Sequence, residues 1–176
     1  ISADQRTITL SSPLTYTHPG ARDHTGNVVL LPHVMNVNRN IVIRSENPTG
    51  TRGHTFYTHR VDADIRYVEF RDLGRTTISP LNAVTNHIGR YALHFHHAMG
   101  PLPSPANGYQ FTAIGNSVWN SETARSRIKW PITIHNSHYG LVQGNVVFNG
   151  GGAGVATEDG NESYNVIEQN AVFRIL

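Results

Sequence analysis

Four short segments of the chain superimpose without gaps: HTFYTHR (54–60), YALHFHH (91–97), WPITIHN (130–136) and AGVATED (153–159). Each is followed by a second apolar stretch ending on a large side chain: IRYVEF (65–70), AIGNSVW (113–119), LVQGNVVF (141–148) and VIEQNAVF (166–173). The step from Trp119 to Phe148 is 29 residues and from Phe148 to Phe173 it is 25. A repeat this small cannot bury an apolar face alone and must stack on its neighbours. The pattern therefore predicts an all-β fold, a short right-handed parallel β-helix in which each repeat is one coil. No stretch shows a helical spacing of apolar residues over a dozen positions.

The second stretches carry a further regularity. Asn116, Asn145 and Asn170 each stand three residues before the terminal aromatic, the placement of a stacked Asn ladder whose amides hydrogen-bond from coil to coil. Upstream, RNIVIRSE (39–46) reads as one further coil, and RTITLSSPLTY (6–16) and NVVLL (27–31) read as cap strands. The long step from Phe70 to Trp119 is explained by inserted loops at 74–89, around ISPLNAVTNHI (78–88), and at 100–108, GPLPSPANG. The expectation is one domain over 1–176, with cap strands in 1–38 and coils in 39–176; 176 residues suffice for one sizeable core. A solenoid this short exposes two ends, which its own cap strands or an oligomer partner would cover.

Composition narrows the function. Net charge is +2, and of 14 basic residues only Lys129 is not Arg, which favours bidentate recognition of carboxylate or sulfate over a diffuse basic field. No basic run argues for nucleic acid, and no apolar run reaches the length of a membrane span. There is no cysteine, so disulfides, thiolate metal sites and thiol nucleophiles are excluded. The chain opens on Ile1 rather than Met, as a processed or excised piece would, and a secreted or extracellular setting is the expectation.

Side chains alternate across a strand, so the alignment puts Phe56/Thr58, Leu93/Phe95, Ile132/Ile134 and Val155/Thr157 inside. The opposite face then carries a column of His59, His96, His135 and Glu158, on rungs about 4.8 Å apart. Arg44 can be placed at its head, and His94 falls in the adjacent outward column beside Tyr57 and Thr133. Three imidazoles and a carboxylate suit one divalent transition metal, Zn²⁺ first, with Cu, Ni, Mn and Fe as alternatives. Asp159 and His97 stand one position further on, as partners of the ligands or as a base, and His87 in the inserted loop is placed to cover the site. Tyr57, Tyr91, Trp130 and Tyr139 could supply a sugar-stacking wall. GGGAGVATEDG (150–160) lacks the Gly-Lys-Ser/Thr of a phosphate loop and reads as a tight turn. Glu158 and Asp159 are adjacent and point to opposite sides of the strand, so they do not make a paired-carboxylate glycosidase site.

RNIVIRSE, GHTFYTH, IRYVEFRDLGRT, GRYALHFHH, ITIHNSHYGLVQGNVVF and EDGNESYNVIEQN together resemble the β-helix core of the cell-migration-inducing hyaluronan-binding protein and transmembrane protein 2 family. The resemblance runs over roughly residues 5 to 173, with Ala92 where the family usually carries Pro. It places the family's His-x-His on His94 and His96, its later rung histidine on His135 and its Glu-Asp-Gly on Glu158, Asp159 and Gly160.

That family is associated with binding and depolymerising hyaluronan, so the resemblance implies a protein acting on an acidic, uronic-acid-containing polysaccharide, and the His/His/His/Glu column makes a metal-dependent enzyme the expectation. In hydrolysis, Asp159 or His94 would transfer the proton. In elimination, Arg44 or Arg90 would help neutralise the uronate carboxylate. A redox-active metal would open oxidative cleavage instead. The rival reading is a non-catalytic carbohydrate-binding or structural solenoid, with a structural metal or none.

Overall fold

The computed structural model describes residues 1–4, 6–98, 108–121 and 127–176. It contains two compact units, Ile1–Val34 and Met35–Leu176. In the first, strands β1 (Ala21–Arg22) and β2 (Val28–Leu30) form an antiparallel hairpin. Its turn is closed by Asp23, whose Oδ1 accepts from the amides of Thr25 and Asn27 at 2.8 and 3.0 Å. NVVLL thus supplies a strand. Residues 6–16, expected to form another, do not; Ser11, Ser12 and Pro13 interrupt the apolar alternation, and Pro removes a ladder donor.

The second unit is a parallel β-helix. Its strands are β3 (Ile41–Arg44), β4 (Tyr57–Thr58), β5 (Ala63–Arg66), β6 (Val68–Arg71), β7 (Leu93–His96), β8 (Phe111–Ile114), β9 (Ser117–Trp119), β10 (Ile132–His135), β11 (Gly140–Gln143), β12 (Val146–Gly150), β13 (Val155–Thr157), β14 (Val166–Glu168) and β15 (Ala171–Ile175). They stack as three parallel sheets ordered β13-β10-β7-β4, β14-β11-β8-β5 and β15-β12-β9-β6-β3. Each full coil therefore has three strands. What the sequence presents as one second stretch is two strands joined at a corner, where Tyr67, Gly115, Gly144 and Gln169 take left-handed backbone at φ between 56 and 65°. Gly fits there without strain, and two of the four coils use it.

The Asn ladder locks this corner. Asn116 Nδ2 donates to Asn145 Oδ1 at 3.1 Å, and Asn145 Nδ2 donates to Asn170 Oδ1 at 2.9 Å. Each amide also donates to a carbonyl, of Ile65, Ala113 and Val142 respectively, so polar groups at the bend stay paired away from water.

The core runs along the axis. Leu93, Phe95, Ile132 and Ile134 point inward from the first sheet, Phe111, Ala113 and Val142 from the second, Phe70, Val118 and Val147 from the third, all essentially inaccessible. Phe95 stacks on Phe111 with ring centroids 4.2 Å apart. A Cβ at Gly140 would strike the Phe111 ring, so glycine is what lets that aromatic fill the centre. Loop 74–89 is held on the coils by Thr76, whose Oγ1 donates to the His87 carbonyl and accepts from the Arg90 amide, and by Asn86, buried with its amide on Ser79. The loop expected at 100–108 lies outside the described residues apart from Gly108. Among the described residues no helix is long and apolar enough to cross a membrane.

Candidate metal centre

The outer face of the first sheet gathers the histidines. Register pairs His96 with His135 and His94 with Thr133, and β13 continues it so that Glu158 follows Thr157, the partner of Ile134. Because residues two apart on a strand share a face, His94 and His96 emerge side by side. Their ring centroids are 5.1 Å apart; His135 lies 4.5 Å from His96 and 6.0 Å from His94. One ring nitrogen from each of the three lies within 4.8 Å of the others.

The first rung differs from expectation by one residue. Tyr57 pairs with Phe95 and Thr58 with His96, which moves every side chain of that strand to the other face. Tyr57 stacks against Phe95 at 5.6 Å, facing the core rather than a sugar, and Phe56 turns outward against His94 and His96 at 5.0 and 4.6 Å. His59 leaves the column: it takes left-handed backbone (φ 61°) at the following corner, as His97 (φ 55°) and Asn136 (φ 45°) do in their coils. His94 takes its place in the cluster. A signal for this register stood in the sequence, since laying Tyr57-Thr58-His59 on Phe95-His96-His97 keeps aromatic on aromatic.

Arg44 is also displaced. It pairs with Arg71 in the third sheet, away from the histidine face, because RNIVIRSE stacks on the last strand of the next coil rather than its first. Tyr91 is fully buried, with its ring 4.9 Å from His94 and 5.3 Å from Trp130, and cannot face a sugar. Its hydroxyl instead donates to Glu158 Oε1 at 2.6 Å. Trp130 keeps a partly exposed ring beside it, under the Lys129 ammonium. Tyr139 stacks on Tyr164 at the turn entering β11. Arg90 is partly exposed at the base of loop 74–89, next to His54.

The polar atoms of the cluster are poised for a ligand they share. His94 Nδ1 donates to the Gly89 carbonyl at 3.1 Å, which leaves Nε2 with the lone pair. Among the described residues five buried side-chain atoms lack a hydrogen-bond partner, and three are here: His94 Nε2, His96 Nδ1 and Glu158 Oε2. Orphaned buried acceptors are costly, and a cation among the three imidazoles, whose ligand atoms lie within 4.8 Å of one another, would give the histidine nitrogens a partner. His135 joins them, its Nδ1 3.3 Å from Glu158 Oε2 and its Nε2 3.0 Å from Asp159 Oδ2. The donor set fits a borderline divalent metal.

Sequence reasoning gave no role to two supporting groups. The Gly89 carbonyl is contributed by the inserted loop. Glu162, the last residue of Glu-Asp-Gly-x-Glu, accepts from the amides of Asn136, Asp159 and Gly160 at 3.0, 3.1 and 2.9 Å. It thereby fixes the turn from which Asp159 reaches His135, with Asn136 Nδ2 donating to Asp159 Oδ2 at 2.8 Å. The spacing of two carboxylates around a glycine turn was the available signal.

Burial pushes the His94 imidazole down to about 3 and His96 to about 4, with the neighbouring imidazoles adding to the shift and the Gly89 carbonyl opposing it at His94. Both rings are therefore held neutral, the form that binds metal. In metal-stripped protein the unfolded chain takes up these protons near 6.5, the folded chain only near 4 and 3. Across that window the unfolded state binds more protons, so stability falls as pH falls. Acid titration followed by denaturant melts should show a loss of up to about 1.4 kcal/mol per pH unit from His94, with a smaller one from partly exposed His96. A melt that is flat from pH 6.5 to 4 would contradict the buried neutral pair.

Comparison with family profiles matches residues 50–175 to the family described as CEMIP beta-helix, a span that holds every strand from β4 to β15 and all the residues of the cluster. No curated protein and no solved structure matches the chain.

Proposed function

Since the chain belongs to the CEMIP β-helix family, we propose that it is a metal-dependent enzyme that cleaves an acidic, uronic-acid-containing glycan of the hyaluronan kind outside the cell. The observation that carries this reading is the cluster of His94, His96 and His135, with one ring nitrogen of each within 4.8 Å of the others and with buried His94 Nε2 and His96 Nδ1 lacking a hydrogen-bond partner. A divalent ion held by these residues, Zn²⁺ by ligand type with Cu, Ni, Mn and Fe as alternatives, would supply Lewis-acid stabilisation of charge on a substrate oxygen.

The chain's own groups do the rest. Gly89 fixes the His94 tautomer and Tyr91 fixes the Glu158 carboxylate. Phe56 and Tyr91 wall the histidines on two sides, lowering the local dielectric and strengthening every polar contact made there. Asp159 is the group placed to move a proton: its side chain is 45% exposed, and Asn136 and His135 hold Oδ2. It can serve as a base towards water in hydrolysis or towards the ring proton beside a uronate carboxylate in elimination.

The test is elemental analysis of the purified protein, untreated and after chelation, together with the size distribution of hyaluronan incubated with each sample. Near-stoichiometric metal is expected, with depolymerisation that stops on chelation and returns on reloading. Depolymerisation by fully stripped protein, or a protein that takes up no metal, would overturn the reading.

A further inference from the structure

We propose that the pocket lined by Thr51, Arg75, Val84, Thr85 and His87 is an oxyanion subsite that takes an acidic group of the glycan, a carboxylate or a sulfate ester, with Arg75 as its main contact and Arg90 reinforcing the field. The inference rests on the glycan reading above and assigns the residues that recognise the charge of the chain. The pocket holds about 310 Å³, at the small end of the range for ligand sites.

Its cationic side is built into the fold. The Arg75 amide donates to the Arg90 carbonyl at 2.8 Å, which brings the two arginines together at the base of loop 74–89. Arg75 Nη1 is anchored on the Arg52 carbonyl at 2.6 Å and lies 3.4 Å from His54 Nδ1. Among the described residues no carboxylate pairs with Arg75 or Arg90. Burial, and then both guanidiniums, hold the His54 imidazole below its ordinary value, so the positive charge on this side of the pocket is carried by the arginines.

The same loop connects this pocket to the metal centre, since its Gly89 carbonyl touches His94 while His87 lines the pocket. A polymer lying across the histidines would meet the arginines with a neighbouring sugar. Guanidinium forks match planar carboxylate and sulfate oxygens.

The experiment is calorimetric titration of metal-stripped protein, so that binding is read without turnover. The probes are a hyaluronan hexasaccharide, its carboxyl-reduced form and a neutral oligosaccharide bearing sulfate esters. Wild type should bind the hexasaccharide about tenfold more tightly than Arg75→Gln does, and the reduced probe should bind wild type no better than the mutant binds the acid, consistent with one lost charge-assisted hydrogen bond. Arg90→Gln, which leaves the Arg52 anchor intact, should show a smaller loss in the same direction, and far-UV spectra confirm that both variants are folded. Arg75-dependent binding of the sulfated probe alone would also support the subsite and identify the ester as its ligand. Folded variants that bind like wild type, equal binding of the reduced probe, or no binding of any probe would overturn it. If metal-loaded protein fails to cleave while Arg75-dependent binding persists, the catalytic reading falls and the subsite stands.

Discussion

His96→Ala is expected to lose its metal and all glycan cleavage above background while keeping the far-UV spectrum of the wild type; His59→Ala is expected to change neither metal content nor rate. The contrast follows from the register of the first rung. His96 Nδ1 is buried, unpartnered and within reach of His94 and His135, so truncating it removes a ligand and should weaken metal binding by more than the roughly 10- to 100-fold cost of losing a supporting partner. The fold should survive, because His96 sits on the outer face of β7 and the core contacts of Leu93 and Phe95 are untouched. His59 sits exposed on its corner. Metal content by elemental mass spectrometry decides the matter: a His59→Ala protein without metal would return the site to the column expected from simple alignment, and a His96→Ala protein that retains metal would remove the site from this face altogether.

That column was half legible. Period-2 alternation and the gapless alignment of three segments were enough to bring His96, His135 and Glu158 to one face, because each strand had inward apolar residues, Leu93/Phe95, Ile132/Ile134 and Val155, that fix its register. HTFYTHR offers two aromatics in a row, Phe56 and Tyr57, so either can fill the core. Packing against Phe95 and the left-handed corner at His59 selected Tyr57, and neither is visible in spacing. The same limit hid the third sheet. A left-handed corner occupied by Tyr67 in one coil, Gly115 and Gly144 in two others and Gln169 in the last leaves no common residue type to mark it. Arg44 was misplaced for that reason, since a lone strand upstream can stack on any of the three sheets.

Loop-borne contributions were out of reach for another reason. Gly89 acts through its carbonyl, and a backbone oxygen has no sequence signature. Tyr91 reads equally well as a surface aromatic or as a buried one whose hydroxyl has found a carboxylate. The Asn spacing was fully legible because its function is purely geometric: a side-chain amide can bridge coils only if it recurs at the same corner.

That ladder carries the largest stability effect expected in the molecule. Asn145 is fully buried in its middle. Its Oδ1 accepts from the Asn116 amide at 2.9 Å and from Asn116 Nδ2 at 3.1 Å, while its Nδ2 donates to Ala113 and Asn170. Asn145→Ala strands donors and acceptors on both neighbouring coils, and at about 1–3 kcal/mol for each buried group left unpaired the loss should reach about 4 kcal/mol, a large part of what holds a domain folded. Asn170→Ala removes a similar number of contacts, but it stands on the last coil and is partly exposed, so water can replace what is lost and the cost should be nearer 1 kcal/mol. Denaturant melts of the two variants separate position from chemistry. A several-fold larger loss at Asn145 is the expected result; equal losses would mean that burial in the middle of the ladder adds nothing to the cost of an amide's missing partner.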